Sequence, residues 1–309
     1  MRSVLFSILT FLFLASTHAQ EVQKVHLDPT DHSLNYYLAM VPKDLPVKAY
    51  LFLMPSFGEI PETVLMQTDL PRLAAERGIL TIIPVLKTGL RSLGVDSLSQ
   101  QSLMEMAENV VQKYQLTNQH LFVGGFSIGG SCAVRFAELA VSKNFQHQPR
   151  AVFAIDPPLD FERFYHSSVR TIRLAAASQP NPEALYMKER LEKEMNGTPE
   201  TALMNYRNCS PYSFSDTRQT AIKSIVNIPV RIYTEPDVSW WLKERGSDFS
   251  GMNALDASCM INELNRLGNA KANLIITHDK GYRKPDNRRH PHSWSIVDNA
   301  ELINWLLEQ

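Results

Sequence analysis

Short runs of hydrophobic residues alternate with longer segments of helical periodicity through most of the chain. Several of these runs are apolar at nearly every position, which is typical of strands buried on both faces of a sheet. The pattern predicts strands at 34–41, 49–54, 79–85, 120–126, 151–155, 230–233 and 272–277. Apolar residues three and four positions apart predict helices at 61–77, 96–114, 128–141 and 295–307. This alternation predicts an α/β fold with a mostly parallel sheet that has helices on both faces.

One long segment interrupts the alternation. Residues 159–224 contain helical pieces that are broken by prolines and a glycine, and they include no candidate strand. A segment of this length exceeds what a single crossover between parallel strands needs. We therefore expect a helical cap over the carboxyl-terminal edge of the sheet, inserted into a single domain that spans residues 20–309.

Residues 1–19 differ in composition from the rest of the chain. Arg2 precedes an almost uninterrupted apolar run over 4–14, and small residues, Thr17 and Ala19, follow it. This is the pattern of a secretory signal peptide, and the run is short for a membrane-spanning helix. We predict cleavage between Ala19 and Gln20, a secreted or periplasmic protein, and no stable membrane insertion afterwards. An uncleaved anchor is the alternative.

Composition excludes several other classes of protein. A chain of 309 residues with 44% hydrophobic and 20% charged residues can bury a core, which excludes disorder. The formal net charge of −1 gives no indication of a nucleic-acid partner. Among the three cysteines, Cys209 and Cys259 are candidates for a disulfide, whereas Cys132 lies in a helix of small residues. No Cys/His spacing indicates zinc and no glycine-rich phosphate loop is present, so neither a metal nor a cofactor is predicted.

The strongest chemical signal is Gly125-Phe-Ser127-Ile-Gly129, which follows an apolar strand and begins a helix rich in alanine. A Gly-x-Ser-x-Gly sequence in this context predicts a sharp strand-to-helix turn that exposes the serine above the edge of the sheet. The flanking glycines allow close passage of neighbouring backbone. Ser127 is therefore a candidate nucleophile, and a tight turn with an incidental serine is the alternative.

A nucleophilic serine needs a histidine as its base. The segment His290-Pro-His292-Ser-Trp294 follows the last predicted strand and precedes the last predicted helix, so a loop can place His292 over Ser127. We favour His292, with His290 as a neighbouring support and His278, at the end of a strand, as a rival.

The histidine needs a carboxylate that orients it. Asp237 and Glu235 both follow the strand predicted at 230–233, and Asp160 follows the preceding strand. Pro236 ends the strand and leaves Glu235 extended along its edge, whereas Asp237 comes just after the turn. We therefore predict Asp237 as the acid, with Glu235 and Asp160 as alternatives.

Backbone amides and aromatic residues complete the predicted site. The residue after the serine, Ile128, and a residue of the loop after the strand at 49–54 are expected to donate N–H groups to an oxyanion. Phe57 or Ser56 is the candidate in that loop. Possible substrate-binding residues next to the predicted catalytic loops are Trp240, Trp241, Trp294 and Arg289.

These motifs occur in one order: PSFG at 55–58, GFSIG at 125–129, EPD at 235–237 and HPHSW at 290–294. From about residue 34 to its end the chain resembles the α/β-hydrolase superfamily. Many members have His-Gly in the early loop, where this sequence has Pro55-Ser56. The resemblance implies a serine hydrolase without a cofactor, most directly a carboxylic-ester hydrolase that acts on a small-molecule ester through an acyl-enzyme. A peptidase, an acyltransferase and a non-catalytic binding protein of the same fold are the alternatives.

Overall fold

The computed structural model describes residues 21–43, 45–175 and 181–309, so the predicted signal peptide and its cleavage site lie outside the described residues. The strands are β1 (Glu21–His26), β2 (Tyr36–Val41), β3 (Ala49–Met54), β4 (Ile79–Val85), β5 (His120–Phe126), β6 (Pro149–Ile155), β7 (Val230–Thr234), β8 (Ala272–Ile276), β9 (Tyr282–Arg283) and β10 (Arg288–Arg289). The helices are α1 (Pro61–Gln67), α2 (Leu70–Ala75), α3 (Ser97–Tyr114), α4 (Ile128–Ser142), α5 (Phe161–Leu174), α6 (Pro182–Met195), α7 (Pro199–Cys209), α8 (Val238–Arg245), α9 (Ala254–Arg266) and α10 (Asn299–Leu307).

Eight strands form one sheet in the order β1-β2-β4-β3-β5-β6-β7-β8. The strands from β3 to β8 are parallel, and β2 is antiparallel to both β1 and β4. The predicted α/β class and mostly parallel sheet are confirmed. β1 was not among the predicted strands, because it is a half-exposed edge strand with polar residues and lacks a continuous apolar run.

Two hydrophobic layers enclose the sheet. Helices α3, α4 and α9 pack on one face through residues such as Met106, Phe136 and Met260. Helices α1, α2 and α10 pack on the other face, where Leu70 and Leu306 lie in the core. Every residue of β3 and β4 is buried, which explains why these strands are apolar along their whole length.

Two predicted helices differ from the observed ones: the first is divided into two helices, and the second begins later in the chain. The segment 61–77 forms two helices instead of one, because the chain leaves the helical conformation at Thr68 and restarts at Leu70. Pro71, at the start of the second helix, has no N–H with which to continue the first. The segment 295–307 begins with a short 3₁₀ turn, and α10 itself starts after Asp298, whose side chain accepts hydrogen bonds from the amides of Ala300 and Glu301.

The described residues between β6 and β7 contain α5, α6, α7 and a short 3₁₀ helix, Ile222–Ile225, and no strand. The first two helices contribute to a third hydrophobic cluster, which includes Tyr165 and Leu191 and reaches Ile128 at the start of α4. This contact places the helices above the carboxyl ends of the parallel strands. None of the helices in the described ranges is long and apolar enough to cross a membrane.

Candidate active site

Ser127 lies at the turn from β5 into α4 with backbone angles φ 55° and ψ −126°. Such a conformation is costly for a residue with a Cβ, and it persists where the surrounding structure holds it in place. The Ser127 amide donates a hydrogen bond of 2.8 Å to the carbonyl of Ile155 at the end of the neighbouring strand. This strained turn presents the serine side chain at the sheet edge, as the sequence motif predicts.

The glycines on either side of Ser127 are required by close backbone packing. A Cβ at Gly125 would lie 2.5 Å from the carbonyl carbon and oxygen of Gly129. A Cβ at Gly129 would lie 2.3 Å from the carbonyl oxygens of Met54 and Pro55. Only glycine fits at these two positions, so the serine turn packs directly against the loop after β3.

His292 has a carboxylate partner that the sequence did not predict. Its Nδ1 atom lies 2.6 Å from Oδ2 of Asp156, and the two side chains are 17% and 10% exposed. The Thr234 hydroxyl donates a second hydrogen bond of 2.7 Å to Asp156 Oδ1. This arrangement leaves Nε2 of His292 as the ring atom available to a nucleophile.

Asp156 follows β6 directly and also has a positive φ, 45°. Its amide donates a hydrogen bond of 2.7 Å to the carbonyl of Tyr233 in β7. Because β5 and β6 pair in parallel with Phe126 opposite Ile155, Ser127 and Asp156 leave the sheet at the same level on adjacent strands. Both residues and His292 line one cavity.

The predicted acid, Asp237, forms no hydrogen bond or ion pair with His292, and the carboxylate beside the imidazole is that of Asp156. Asp237 caps α8 by accepting a hydrogen bond from the Trp240 amide at 3.0 Å, and it pairs with Arg289 at 2.9 Å. These bonds hold its carboxylate away from the imidazole. The contact expected between Asp237 and His292 is therefore not present, because the carboxylate that reaches the imidazole follows β6 instead of β7.

The two alternative acids also have other partners. Glu235 is buried, forms an ion pair with Arg289 at 2.6 Å and accepts a hydrogen bond from the Lys280 amide at 2.9 Å. Asp160 caps α5 through the Arg163 amide and accepts a second bond from the Phe214 amide. Burial, and secondarily the charge of Asp256, raises the pKa of Asp160 to about 6. Neither carboxylate is positioned to orient His292.

Two backbone amides lie where the sequence predicts an oxyanion site. Ile128 is the first residue of α4, so its N–H has no acceptor one turn earlier in the helix. In the loop after β3, the amides of Gly58 and Glu59 donate hydrogen bonds to the backbone carbonyls of Leu90 and Ser56, respectively. The amide of Phe57, by contrast, has no acceptor among the described residues. Both Phe57 and Ile128 line the cavity that contains Ser127.

A partly buried carboxylate links this loop to the loop that carries the histidine. Glu59 accepts a hydrogen bond of 2.9 Å from the Ser56 amide and one of 3.2 Å from the Trp294 indole N–H. Burial raises the pKa of Glu59 above its usual value. Sequence analysis did not identify Glu59, because a lone glutamate in a loop has no distinguishing pattern.

The cavity above Ser127 has a volume of about 450 Å³, within the usual range for small-molecule sites. Of the four predicted substrate-binding residues, Trp241 lines it. Trp240 packs against Trp241 and His290, and Trp294 is buried against Phe126. The fourth, Arg289, is bound to the carboxylates of Glu235 and Asp237, so its place is structural.

His290, the predicted neighbour of the candidate base His292, is buried beside it. Its Nδ1 atom accepts a hydrogen bond of 3.2 Å from the His292 amide. Burial, reinforced by the charges of Arg283, His292 and Arg245, lowers the pKa of His290 to about 2. The ring is therefore neutral and supports the backbone of His292. The rival candidate, His278, is exposed.

The described residues include no group of three or more His, Cys, Asp or Glu side chains that could hold a metal ion. All three cysteines are free, so Cys209 and Cys259 are not paired. Burial raises the pKa of the Cys132 thiol to about 12, which keeps that thiol protonated.

Solved structures of the same fold provide the comparison with known proteins. The α/β-hydrolase fold is evident from the strand order, the antiparallel second strand and the serine turn after β5. No protein-family model and no curated protein matches the sequence.

Three solved structures illustrate the likeness. MPT51 of Mycobacterium tuberculosis has a TM-score of 0.59 at 12% identity, with 93% of this chain and 99% of that chain covered. The carboxyl esterase 2 of the fungus Tuber melanosporum has a TM-score of 0.56 at 13% identity, with 95% and 87% covered. The fluorophosphonate-binding serine hydrolase F of Staphylococcus aureus has a TM-score of 0.54 at 13% identity, with 93% and 99% covered. At these identities the likeness establishes the fold alone.

Proposed function

We propose that this protein is a serine hydrolase, and most specifically a carboxylic-ester hydrolase. The observation that carries the proposal is the 2.6 Å contact between His292 Nδ1 and Asp156 Oδ2 in the cavity that also contains Ser127 on its strained turn. A nucleophile, a base and an orienting acid on three separate loops are the components of triad chemistry. The esterase and the serine hydrolase named above share the fold, which supports the same class of reaction.

In the proposed reaction, the Ser127 hydroxyl attacks the carbonyl carbon of an ester while Nε2 of His292 takes its proton. Asp156 holds the imidazole in the tautomer with a proton on Nδ1 and stabilises the imidazolium that forms. The amides of Phe57 and Ile128 stabilise the oxyanion. His292 then protonates the leaving alcohol, and a water molecule hydrolyses the acyl-enzyme by the same steps.

The test combines covalent labelling with substrate turnover. A fluorophosphonate probe should label the purified protein at Ser127, identified by peptide mass spectrometry. Ser127→Ala should abolish labelling and lower ester turnover by about three orders of magnitude or more while the protein remains folded. A panel of p-nitrophenyl esters, a feruloyl-type ester and a peptide distinguishes an esterase from a peptidase. Turnover that survives in Ser127→Ala contradicts the proposal, and a folded wild-type protein that neither labels nor turns over any substrate favours a binding protein.

We further propose that the chain is exported and that its signal peptide is removed between Ala19 and Gln20. The support is the sequence of residues 1–19, with an arginine, an apolar run and small residues before the cut. Protein recovered outside the cytoplasm of a secreting host should begin at Gln20, which cyclises readily. Intact Met1 on exported protein, measured by mass spectrometry, contradicts the prediction.

A further inference from the structure

Arg283 differs in its surroundings from the other charged residues of the cavity. It is half-buried, lines the cavity together with Ser127 and His292, and is the one arginine or lysine among the described lining residues. Its Nε and Nη2 atoms donate to the backbone carbonyl of His292 at 3.2 and 2.9 Å. It takes part in none of the ion pairs found among the described residues.

The carboxylates near the cavity are already bound to other groups. Asp156 is bonded to His292 and Thr234, and Glu235 is bonded to Arg289. Glu183 lies at the rim, where its side chain is 79% exposed and stands 3.9 Å from Arg245. Glu183 and Glu59 act on Arg283 only through longer-range electrostatics that raise its pKa, and no carboxylate of the described residues forms an ion pair with it.

A half-buried guanidinium without a directly paired carboxylate is unfavourable in a folded protein. Burial and the neighbouring charge of Arg245 lower the pKa of Arg283, although the group remains protonated at neutral pH. An anion in the cavity would neutralise this charge. It would also accept hydrogen bonds from the N–H groups of Arg283 that are not bonded to the His292 carbonyl. Guanidinium binds carboxylates in a bidentate geometry.

We infer that Arg283 is a specificity-determining residue that binds a carboxylate of the substrate, so that the preferred ester is anionic. The inference rests on the proposed function. Arg283 is bonded to the backbone of His292, and in triad chemistry the histidine protonates the leaving group. The carboxylate is therefore expected on the alcohol portion of the ester.

The experiment compares matched anionic and neutral esters in wild type and in Arg283→Gln. The leaving-group pair is 4-acetoxybenzoate and its methyl ester, and the acyl pair is p-nitrophenyl hemiglutarate and p-nitrophenyl pentanoate. Arg283→Gln should lower kcat/KM for 4-acetoxybenzoate about 10- to 100-fold more than for its methyl ester, as expected on loss of a charge-assisted hydrogen bond. Because each ester is compared with itself in two proteins, differences in intrinsic reactivity cancel.

Arg288→Gln is the matched control, since Arg288 pairs with Arg283 across the β9–β10 hairpin but is exposed. It removes the same charge and should leave both ratios within about threefold of wild type, the effect expected of an exposed charge. Arg283→Lys should retain part of the preference, because it keeps the charge and loses the bidentate geometry.

Equal loss with the anionic and neutral esters would overturn the inference, since it would mean that Arg283 only positions His292. A specific loss with the hemiglutarate instead would move the carboxylate to the acyl portion and overturn the assignment to the leaving group. Binding of 4-acetoxybenzoate and its methyl ester to Ser127→Ala, measured by calorimetry with and without Arg283→Gln, decides the question without turnover. Failure of the wild type to hydrolyse any ester would count against the proposed function, whereas an anion preference in binding that does not depend on Arg283 would count against this inference.

Discussion

The carboxyl ends of β6 and β7 lie side by side in the sheet, and each is followed by a carboxylate that is almost completely buried. After β6, Asp156 meets His292 at 2.6 Å. After β7, Glu235 meets Arg289 at 2.6 Å, and Asp237 meets the same guanidinium at 2.9 Å. One strand end therefore provides the orienting acid of the proposed triad, and the other provides an ion-pair cluster.

The difference shows that the role of a buried carboxylate depends on the group that pairs with it, which is an imidazole after β6 and a guanidinium after β7. Glu235 also accepts hydrogen bonds from the amides of Lys280 and Gly281, so the cluster fixes the start of the loop that leads from β8 to His292. Asp156 then meets the histidine at the far end of that loop. The cluster after β7 stabilises the loop, whereas the carboxylate after β6 is bonded to the imidazole.

The largest expected effect is that of Asp156→Asn. The amide would favour the wrong tautomer of His292, so kcat should fall by up to about four orders of magnitude with little change in folding. Ester turnover and a thermal melt of the purified variant measure the two quantities. Near-normal turnover would remove Asp156 from the proposed mechanism.

Glu235→Gln should instead act mainly on stability. The substitution removes one charge from a buried ion pair and should lower the free energy of unfolding by about 3 kcal/mol. Urea denaturation measures this loss. In the folded variant, kcat should remain within about tenfold of wild type, because Asp156 still orients the histidine. A collapse of kcat as large as that of Asp156→Asn, without loss of stability, would reverse the roles of the two strand ends.

The pH dependence of stability tests the environment of His290, whose ring packs against Trp240 and Trp241 of α8. Its pKa is about 2 in the folded protein, below the value of about 6.5 in an unfolded chain. As the pH falls from 6.5 toward 2, the unfolded chain binds a proton that the folded protein does not, so stability is lost over this window.

His290→Asn should therefore lose less stability than wild type between pH 7 and pH 4, by up to about 3 kcal/mol. The asparagine oxygen can still accept the hydrogen bond from the His292 amide. Urea titrations of both proteins at the two pH values provide the measurement. Identical losses in the two proteins would show that His290 is protonated in the folded state.

The smallest effect is expected for Asp237→Asn. Asparagine caps a helix about as well as aspartate, and the ion pair lost is partly exposed, so stability should change by about 1 kcal/mol or less. Turnover should be close to that of wild type. A loss of activity greater than that of Glu235→Gln would show that Asp237 takes part in the chemistry.

The fold could be predicted from the sequence to a large extent. Every strand from β2 to β8 overlaps a predicted one, because strands buried on both faces leave continuous apolar runs. The turn at Ser127 could be predicted too, since its glycines are required by local packing. The edge strand β1 could not, because a half-exposed strand has few apolar positions.

The carboxylate beside His292 could not be identified from the sequence because the two residues are distant along the chain. The sheet and the loop after β8 bring Asp156 and His292 together, and a contact between residues so far apart leaves no local pattern in the sequence. A signal was nevertheless present: Asp156 is the first residue after an apolar strand that neighbours the serine strand. Arg289 and Asp237 are charged residues of the kind expected in a binding site, yet in the structure they form an ion pair with each other.

The central claim is that Asp156, and not a carboxylate after β7, activates Ser127 through His292. The rate constant for fluorophosphonate labelling of Ser127 tests it directly, because it requires no knowledge of the substrate. Asp156→Asn should lower this rate constant by about three orders of magnitude, whereas Asp237→Asn should leave it within about threefold of wild type. Rapid labelling of Asp156→Asn together with slow labelling of Asp237→Asn would contradict the account.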